Sequence, residues 1–188
     1  MDLKELELGV DPQTHWYYQS KKVPMLRFIE QVYHQTKKPL TLIDLGSGSG
    51  FFMYEADKHI PHAIAKIYLV DIGYSEVEMD VTRGERIEKR HALPDKIENA
   101  VVVMMDVLEH VPDDEAMLND IKKRCVGKNY FFITVPAFKQ LWSGHDVYLG
   151  HYRRYTTASL EALLKRCSFR VSGCRYLYGF NFPLVWAV

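Results

Sequence analysis

The chain has 188 residues, 47% hydrophobic and 26% charged, the balance of a folded globular protein and not of a disordered one. Lysine plus arginine and aspartate plus glutamate stand at 24 each, so no net field draws the chain to nucleic acid or an anionic membrane. Cys125, Cys167 and Cys174 form no CxxC pair, which argues against a disulfide scaffold and a cysteine zinc site and fits a reducing cytoplasm.

The opening MDLKELELGVDP is too acidic for a signal peptide, and no run approaches the roughly 18 apolar residues of a spanning helix. Met25, Phe28, Ile29, Val32 and Tyr33 repeat at helical spacing and predict a helix over 24–34, with Pro24 in its first turn. Four short runs are apolar on both alternating faces: 40–45 (LTLIDL), 66–71 (KIYLVD), 100–105 (AVVVMM) and 130–135 (YFFITV). Such runs predict strands buried on both sides, hence a parallel sheet between helices. Helical patterns fall at 51–59, 75–82, 114–124 and 157–165, with Asp113, Asp114 and Thr156 as start signals. This alternation is the doubly wound, mostly parallel α/β plan with helices on both faces. With no repeat and no linker, one domain over 1–188 is expected.

The sharpest signal is Asp44-Leu45-Gly46-Ser47-Gly48-Ser49-Gly50, which closes the first apolar run and opens a helix. Glycines at alternate positions let the backbone turn tightly against a ligand, and the helix start offers free N–H groups. The spacing is not the Gly-x-Gly-x-x-Gly of dinucleotide sites, so a ligand with a small zwitterionic tail fits better. Asp71 ends the second run, where a carboxylate can accept both hydroxyls of a ribose. The plainer reading is a tight turn and a helix cap.

With these residues in this order, the chain resembles the class I S-adenosylmethionine-dependent methyltransferases over residues 12–180. The resemblance implies a Rossmann-like sheet of order 3-2-1-4-5-7-6 and S-adenosylmethionine as cofactor. Asp44, Gly46, Ser47, Gly48, Gly50, Asp71 and Asp106 would form the cofactor-binding set. Residues 1–36, with His15-Trp16-Tyr17-Tyr18, would fold as a lid or a hydrophobic staple, and 37–188 would be the core. Two departures stand out. Where the family often places an acid after strand three to contact adenine, this chain reads EKRHALP (88–94), which does not identify that contact, and the chain stops near the sixth strand, leaving strand seven unaccounted for.

After the third of these runs comes Asp106-Val107-Leu108-Glu109-His110. A helical turn there would gather Asp106, Glu109 and His110 on one face, suited to proton transfer or to Mg²⁺ or Mn²⁺. Small-RNA 2′-O-methyltransferases are similar at a lower level, and their metal ligands would fall on Asp106, Glu109, His110 and His151. The neutral charge counts against an RNA substrate, and the metal is set behind proton transfer. The stretch 135–156 reads as a long, irregular, aromatic loop. His110, His151 and His145 are the candidate catalytic bases, and Arg153 and Arg154 grip an anion or form a solvated basic face.

The reading is methyl transfer to an oxygen or nitrogen of a small-molecule acceptor. Its rivals are a non-catalytic binding protein that keeps the fold, and an NAD-dependent oxidoreductase that the glycine spacing disfavours. Phe180, Phe182, Leu184, Val185 and Trp186 make an apolar end with no polar closing turn. Residues beyond Val188 are expected to cover it, ahead of a partner or peripheral contact with a membrane.

Overall fold

A computed structural model describes residues 9–80 and 84–177. The chain divides into two compact units, one of Met1–Val107 with Arg124–Thr134 and the other of Leu108–Lys123 with Val135–Val188.

The first unit carries α1 (Trp16–Thr36), β1 (Leu40–Leu45), α2 (Phe51–His59), β2 (Ile64–Val70), α3 (Glu76–Asp80) and β3 (Ile87–Arg90). It continues through β4 (Ile97–Glu98), β5 (Ala100–Met105), β6 (Cys125–Val126) and β7 (Tyr130–Thr134). Five strands form a sheet in the order β3-β2-β1-β5-β7, with every pairing parallel; β4 and β6 make a separate two-stranded ladder. Counting the five long strands alone, this is the 3-2-1-4-5 part of the expected order. No sixth or seventh strand of that sheet lies among the described residues.

The register explains the two-sided apolar runs. Leu42 lies opposite Ile67 on one side and Val101 on the other, so alternate residues of three strands share a face. Leu40, Leu42, Ile67, Leu69, Val101 and Val103 pack there with Met25, Ile29 and Val32 of α1 and Met53 and Ala56 of α2. Ile43, Val102 and Met104, which point the other way, are equally buried. Each buried aliphatic side chain contributes about 1.5–3 kcal/mol, enough to hold central strands without a polar face.

Two boundaries differ from the sequence expectation for physical reasons. The first helix begins at Trp16, so Pro24 stands in its interior and not its first turn. The ring forfeits one backbone bond there, which the packing of Tyr18 on Phe51 and Phe52 in the preceding turns helps to offset. The edge strand β3, Ile-Glu-Lys-Arg, has no apolar run to betray it. Its Glu88 instead pairs with Lys66 and Arg90, charges of the kind that protect a sheet edge. The helix expected at 75–82 is seen over Glu76–Asp80, and residues 81–83 lie outside the described residues.

The second unit holds α4 (Asp114–Arg124, its last residue in the first unit), α5 (Gly144–Leu149) and α6 (Thr157–Arg166). Asp113 caps α4 by accepting from the Ala116 N–H at 2.8 Å, and Thr156 and Ser159 form a capping box on α6. Leu118 and Ile121 of α4 and Leu160, Leu163 and Leu164 of α6 are buried. The stretch 135–156 is not the irregular loop expected. It contains a 3-10 turn at Lys139–Leu141, helix α5, and a parallel bridge from Ala137 to Tyr155. Ser143 and Asp146, three residues apart, form the capping box that starts α5.

The three cysteines are free thiols. Among the described residues no helix is long and apolar enough to cross a membrane. The acidic first eight residues and the apolar end from 180 to 186 lie outside the described residues.

Candidate functional site

In the first unit the strand order reverses at β1, which has β2 on one side and β5 on the other. Open parallel sheets bind ligands at the carboxyl ends of strands beside such a reversal. The glycine loop sits there. Gly46 and Ser47 both donate their N–H to the Val70 carbonyl, at 2.8 and 3.2 Å, which ties the loop to the end of β2. Gly46 has φ +73°, and a Cβ built on it would stand 2.7 Å from Val107 Cγ2, so both backbone and space demand glycine.

Asp71 locks the loop from the other side. One of its oxygens accepts the Gly48 N–H at 2.9 Å and the other accepts the Gly73 N–H at 2.8 Å. It is half-buried, and each oxygen keeps a further acceptor lobe for a ligand hydroxyl. Tyr74 adds a contact that sequence reasoning missed: its hydroxyl lies 2.7 Å from Ser47 Oγ. Burial pushes the Tyr74 phenol well above its ordinary pKa, so it stays a neutral hydroxyl.

A narrow cleft of about 20 Å³ lies beside the loop, lined by Tyr17, Tyr18, Asp44, Gly46, Ser47, Phe52, Met105 and Asp106. Asp44 and Asp106 are both buried. Asp106 adopts φ +55° just past β5, and three side chains share its carboxylate. Thr134 Oγ1 donates to Oδ1 at 3.1 Å, while the Tyr17 hydroxyl and the Lys21 ammonium donate to Oδ2. Burial raises the Asp106 carboxyl, but the Lys21 charge and these hydrogen bonds outweigh it and hold the group below the usual carboxylate range. Tyr17 belongs to the segment expected as a lid or staple, whereas Lys21, one helical turn on, has no signal in the sequence, which predicts the helix only from Pro24. Tyr18 packs its ring against Phe51 and Phe52 at the start of α2. The segment His15-Trp16-Tyr17-Tyr18 is thus the cap and first turn of α1, and two of its rings wall the cleft. A larger hollow of about 200 Å³, lined by Thr41, Tyr68, Ile97 and Ala100 among others, includes the amino ends of strands and no residue of this loop.

The second unit holds a different cluster. Leu108–His110 form a 3-10 turn, and the Glu109 carbonyl accepts the Tyr152 N–H at 2.7 Å, which brings the segment after α5 to it. One ligand-type atom from each of Glu109, His110 and His151 lies within 4.8 Å of the others. The two imidazoles meet edge to face with centroids 4.6 Å apart. Asp106, expected beside Glu109 and His110, is not in this group, since its φ and its partners commit it to Lys21, Tyr17 and Thr134. His145 is exposed on the first turn of α5 and is also outside the group.

His151 Nδ1 lies 2.9 Å from Asp146 Oδ1, and its Nε2 is buried with no hydrogen-bond partner among the described residues. Asp146 is fully buried and is gripped by Arg154, with Nε at 2.7 Å from Oδ1 and Nη2 at 2.8 Å from Oδ2. The Ser143 N–H adds a bond of 2.8 Å. Burial pushes the Asp146 carboxyl up, but the Arg154, Ser143 and His151 hydrogen bonds prevail and hold it far below the ordinary range. Arg153 pairs with Asp114 at 3.0 Å and donates to the Pro112 carbonyl. Of the two expectations for these arginines, an anion grip or a solvated basic face, the structure shows each holding a carboxylate of this chain, Arg154 that of Asp146 and the partly exposed Arg153 that of Asp114.

A sequence profile described as "Methyltransferase domain" matches residues 16–172. A search of curated protein sequences finds no match. Among solved structures, the plantazolicin methyltransferase BpumL, in complex with a triazolic desmethylPZN analogue and SAH, is 12% identical with a TM-score of 0.66. That match covers 100% of this chain and 81% of BpumL. An S-adenosylmethionine-dependent methyltransferase from Mesorhizobium loti is 15% identical, with a TM-score of 0.57 over 87% of this chain and 85% of its own. LepI in complex with SAM is 17% identical with a TM-score of 0.56, covering 74% of this chain and 40% of LepI. At such identities the likeness is one of fold.

Proposed function

Because the chain belongs to the family of methyltransferase domains, whose profile spans residues 16–172, we propose that it transfers a methyl group from S-adenosylmethionine to an oxygen or nitrogen of a small-molecule acceptor. The observation that carries this reading is the glycine loop at the reversal of the sheet, clamped by Asp71 and open to a cleft beside Asp44. Structural relatives with the same fold are described with SAH or SAM, which supports the choice of cofactor.

When bound, S-adenosylmethionine supplies an already activated methyl group, so the chain's work is placement and exclusion of water. Gly46, Ser47, Gly48 and Gly50 present backbone close enough for a ligand to lie against them. Asp71 offers acceptors to ribose hydroxyls, Asp44 places a carboxyl group beside the cationic end of the cofactor, and Asp106, paired with Lys21, holds that wall of the cleft. Tyr17 and Tyr18 close one wall. His151, assisted by His110 and Glu109, handles the proton that the acceptor gives up, since its Nε2 is buried and uncommitted.

A second reading of that cluster rests on its donor set. Two imidazoles and one carboxylate within 4.8 Å suit a first-row transition cation better than Mg²⁺, which prefers oxygen ligands. Held by Glu109, His110 and His151, such a cation would lower the pKa of an acceptor hydroxyl. Elemental analysis of chelator-treated protein after exposure to Zn²⁺ or Mn²⁺ separates the readings: about one ion per chain favours the cation, none favours the free imidazole.

Titration of purified protein with SAH in a calorimeter tests the function as a whole. Saturable heat is expected, and its absence overturns the proposal. His151→Ala should then lower methyl transfer from labelled S-adenosylmethionine far more than it lowers SAH affinity; equal turnover removes His151 from the reaction.

A further inference from the structure

An imidazole is useful to a proton or a cation only if the correct nitrogen carries the lone pair. For His151 that nitrogen is Nε2, since Nδ1 faces Asp146 and Nε2 is buried with no hydrogen-bond partner among the described residues. A neutral histidine in water divides its proton between both nitrogens, so the surroundings must choose.

The surroundings of His151 do choose. Its side chain is only 5% exposed, and Nδ1 lies 2.9 Å from Asp146 Oδ1. An ionised carboxylate accepts and cannot donate, so the proton of that bond sits on Nδ1. Asp146 is in turn immobile. Arg154 holds both its oxygens in a fork, Ser143 donates to it from the backbone, and the same two residues define the start of α5. Arg154 Nη1 also donates to the Ala137 carbonyl at 3.1 Å, which ties the fork to the bridged segment 137–155. Ring, carboxylate and guanidinium are thus fixed one behind the other.

We propose that Asp146 is a positioning residue: anchored by Arg154 and Ser143, it accepts the Nδ1 proton of His151 and so keeps the lone pair on Nε2, the nitrogen left for a proton or a cation. The inference deepens the role given to His151 above, and it holds whether Nε2 takes a proton or binds a cation. A carboxylate behind an imidazole serves both chemistries by the same means.

The test reads the tautomer and needs neither cofactor nor acceptor, so its failure and a failure of SAH binding are separate results. The full chain is labelled with ¹⁵N-histidine, and long-range proton–nitrogen correlations are recorded at pH 8. The chain has eight histidines, and His151→Gln assigns the signal of interest. The Nδ1–H form should outweigh the other by about tenfold or more, the weight of one hydrogen bond to a charged group. In Asp146→Asn the only side-chain acceptor is shared with Arg154 and an N–H₂ group replaces an oxygen, so the preference should vanish or reverse. The backbone amide spectrum shows whether that variant folds. If Asp146→Asn lowers the melting temperature but leaves the tautomer as it was, Asp146 is merely structural and the inference fails. A wild-type ring in the Nε2–H form, or protonated on both nitrogens, overturns it without any variant. The wild-type spectrum therefore decides even if Asp146→Asn does not fold.

Discussion

Asp71 and Asp146 are both carboxylates whose oxygens are already hydrogen-bonded within the chain, yet they do different work. Asp71 stays half-buried and binds backbone N–H groups of the loop it faces, so its loss both frees the loop and removes acceptors for a ligand. Asp71→Ala should weaken SAH binding by at least about tenfold, the cost of a charge-assisted hydrogen bond, as calorimetry would show. Asp146 is fully buried and its native pKa is depressed. A depressed carboxylate stabilises the fold fully above its unfolded pKa of about 4 and loses that contribution as pH falls below it. Urea unfolding at pH 7 and pH 3 should therefore show a smaller acid-induced loss in Asp146→Asn than in the wild-type chain.

Helix α1 shows how a segment overrides its local propensity. Its first two turns precede a proline, a place where a helix costs a hydrogen bond. They persist because Tyr17 and Lys21 reach the Asp106 carboxylate and Tyr18 packs on Phe51 and Phe52. Lys21 and Asp106 are both nearly sealed from water, so removing one strands the other charge. Asp106→Asn should cost about 3–5 kcal/mol, and Lys21→Met combined with Asp106→Asn appreciably less than the two single losses added together. Chemical denaturation of the single and double variants measures this. Helix α5 is the counterpart in the second unit. Six residues make a weak helix alone, and its capping box through Ser143 and Asp146 gives it a defined start.

The first unit is a parallel sheet with a cleft at its point of reversal, and a ligand bound there should stabilise it. SAH at a hundredfold excess over its dissociation constant should add about 2.7 kcal/mol, a rise in melting temperature of roughly 5–10 °C for a protein of this length. NAD at the same concentration should give no shift. The strands at 40–45 and 100–105 and the helices at 51–59 and 114–124 were legible in the linear order of residues, because apolar spacing and capping chemistry act within a few residues of one another. So was the glycine loop, whose backbone demand is local. The edge strand at 87–90 was hidden because only Ile87 of it is buried, while Glu88 and Arg90 stay half-exposed in ion pairs, and the turns before Pro24 were hidden because Asp106 lies 85 residues beyond Lys21. The commitment of Asp106 to Lys21 and the grouping of His151 with Glu109 and His110 each depend on groups far apart in sequence meeting away from water, and the grip of Arg154 on Asp146 depends on the fold of the segment between them. Burial makes those partnerships strong, and burial is a property of the folded chain.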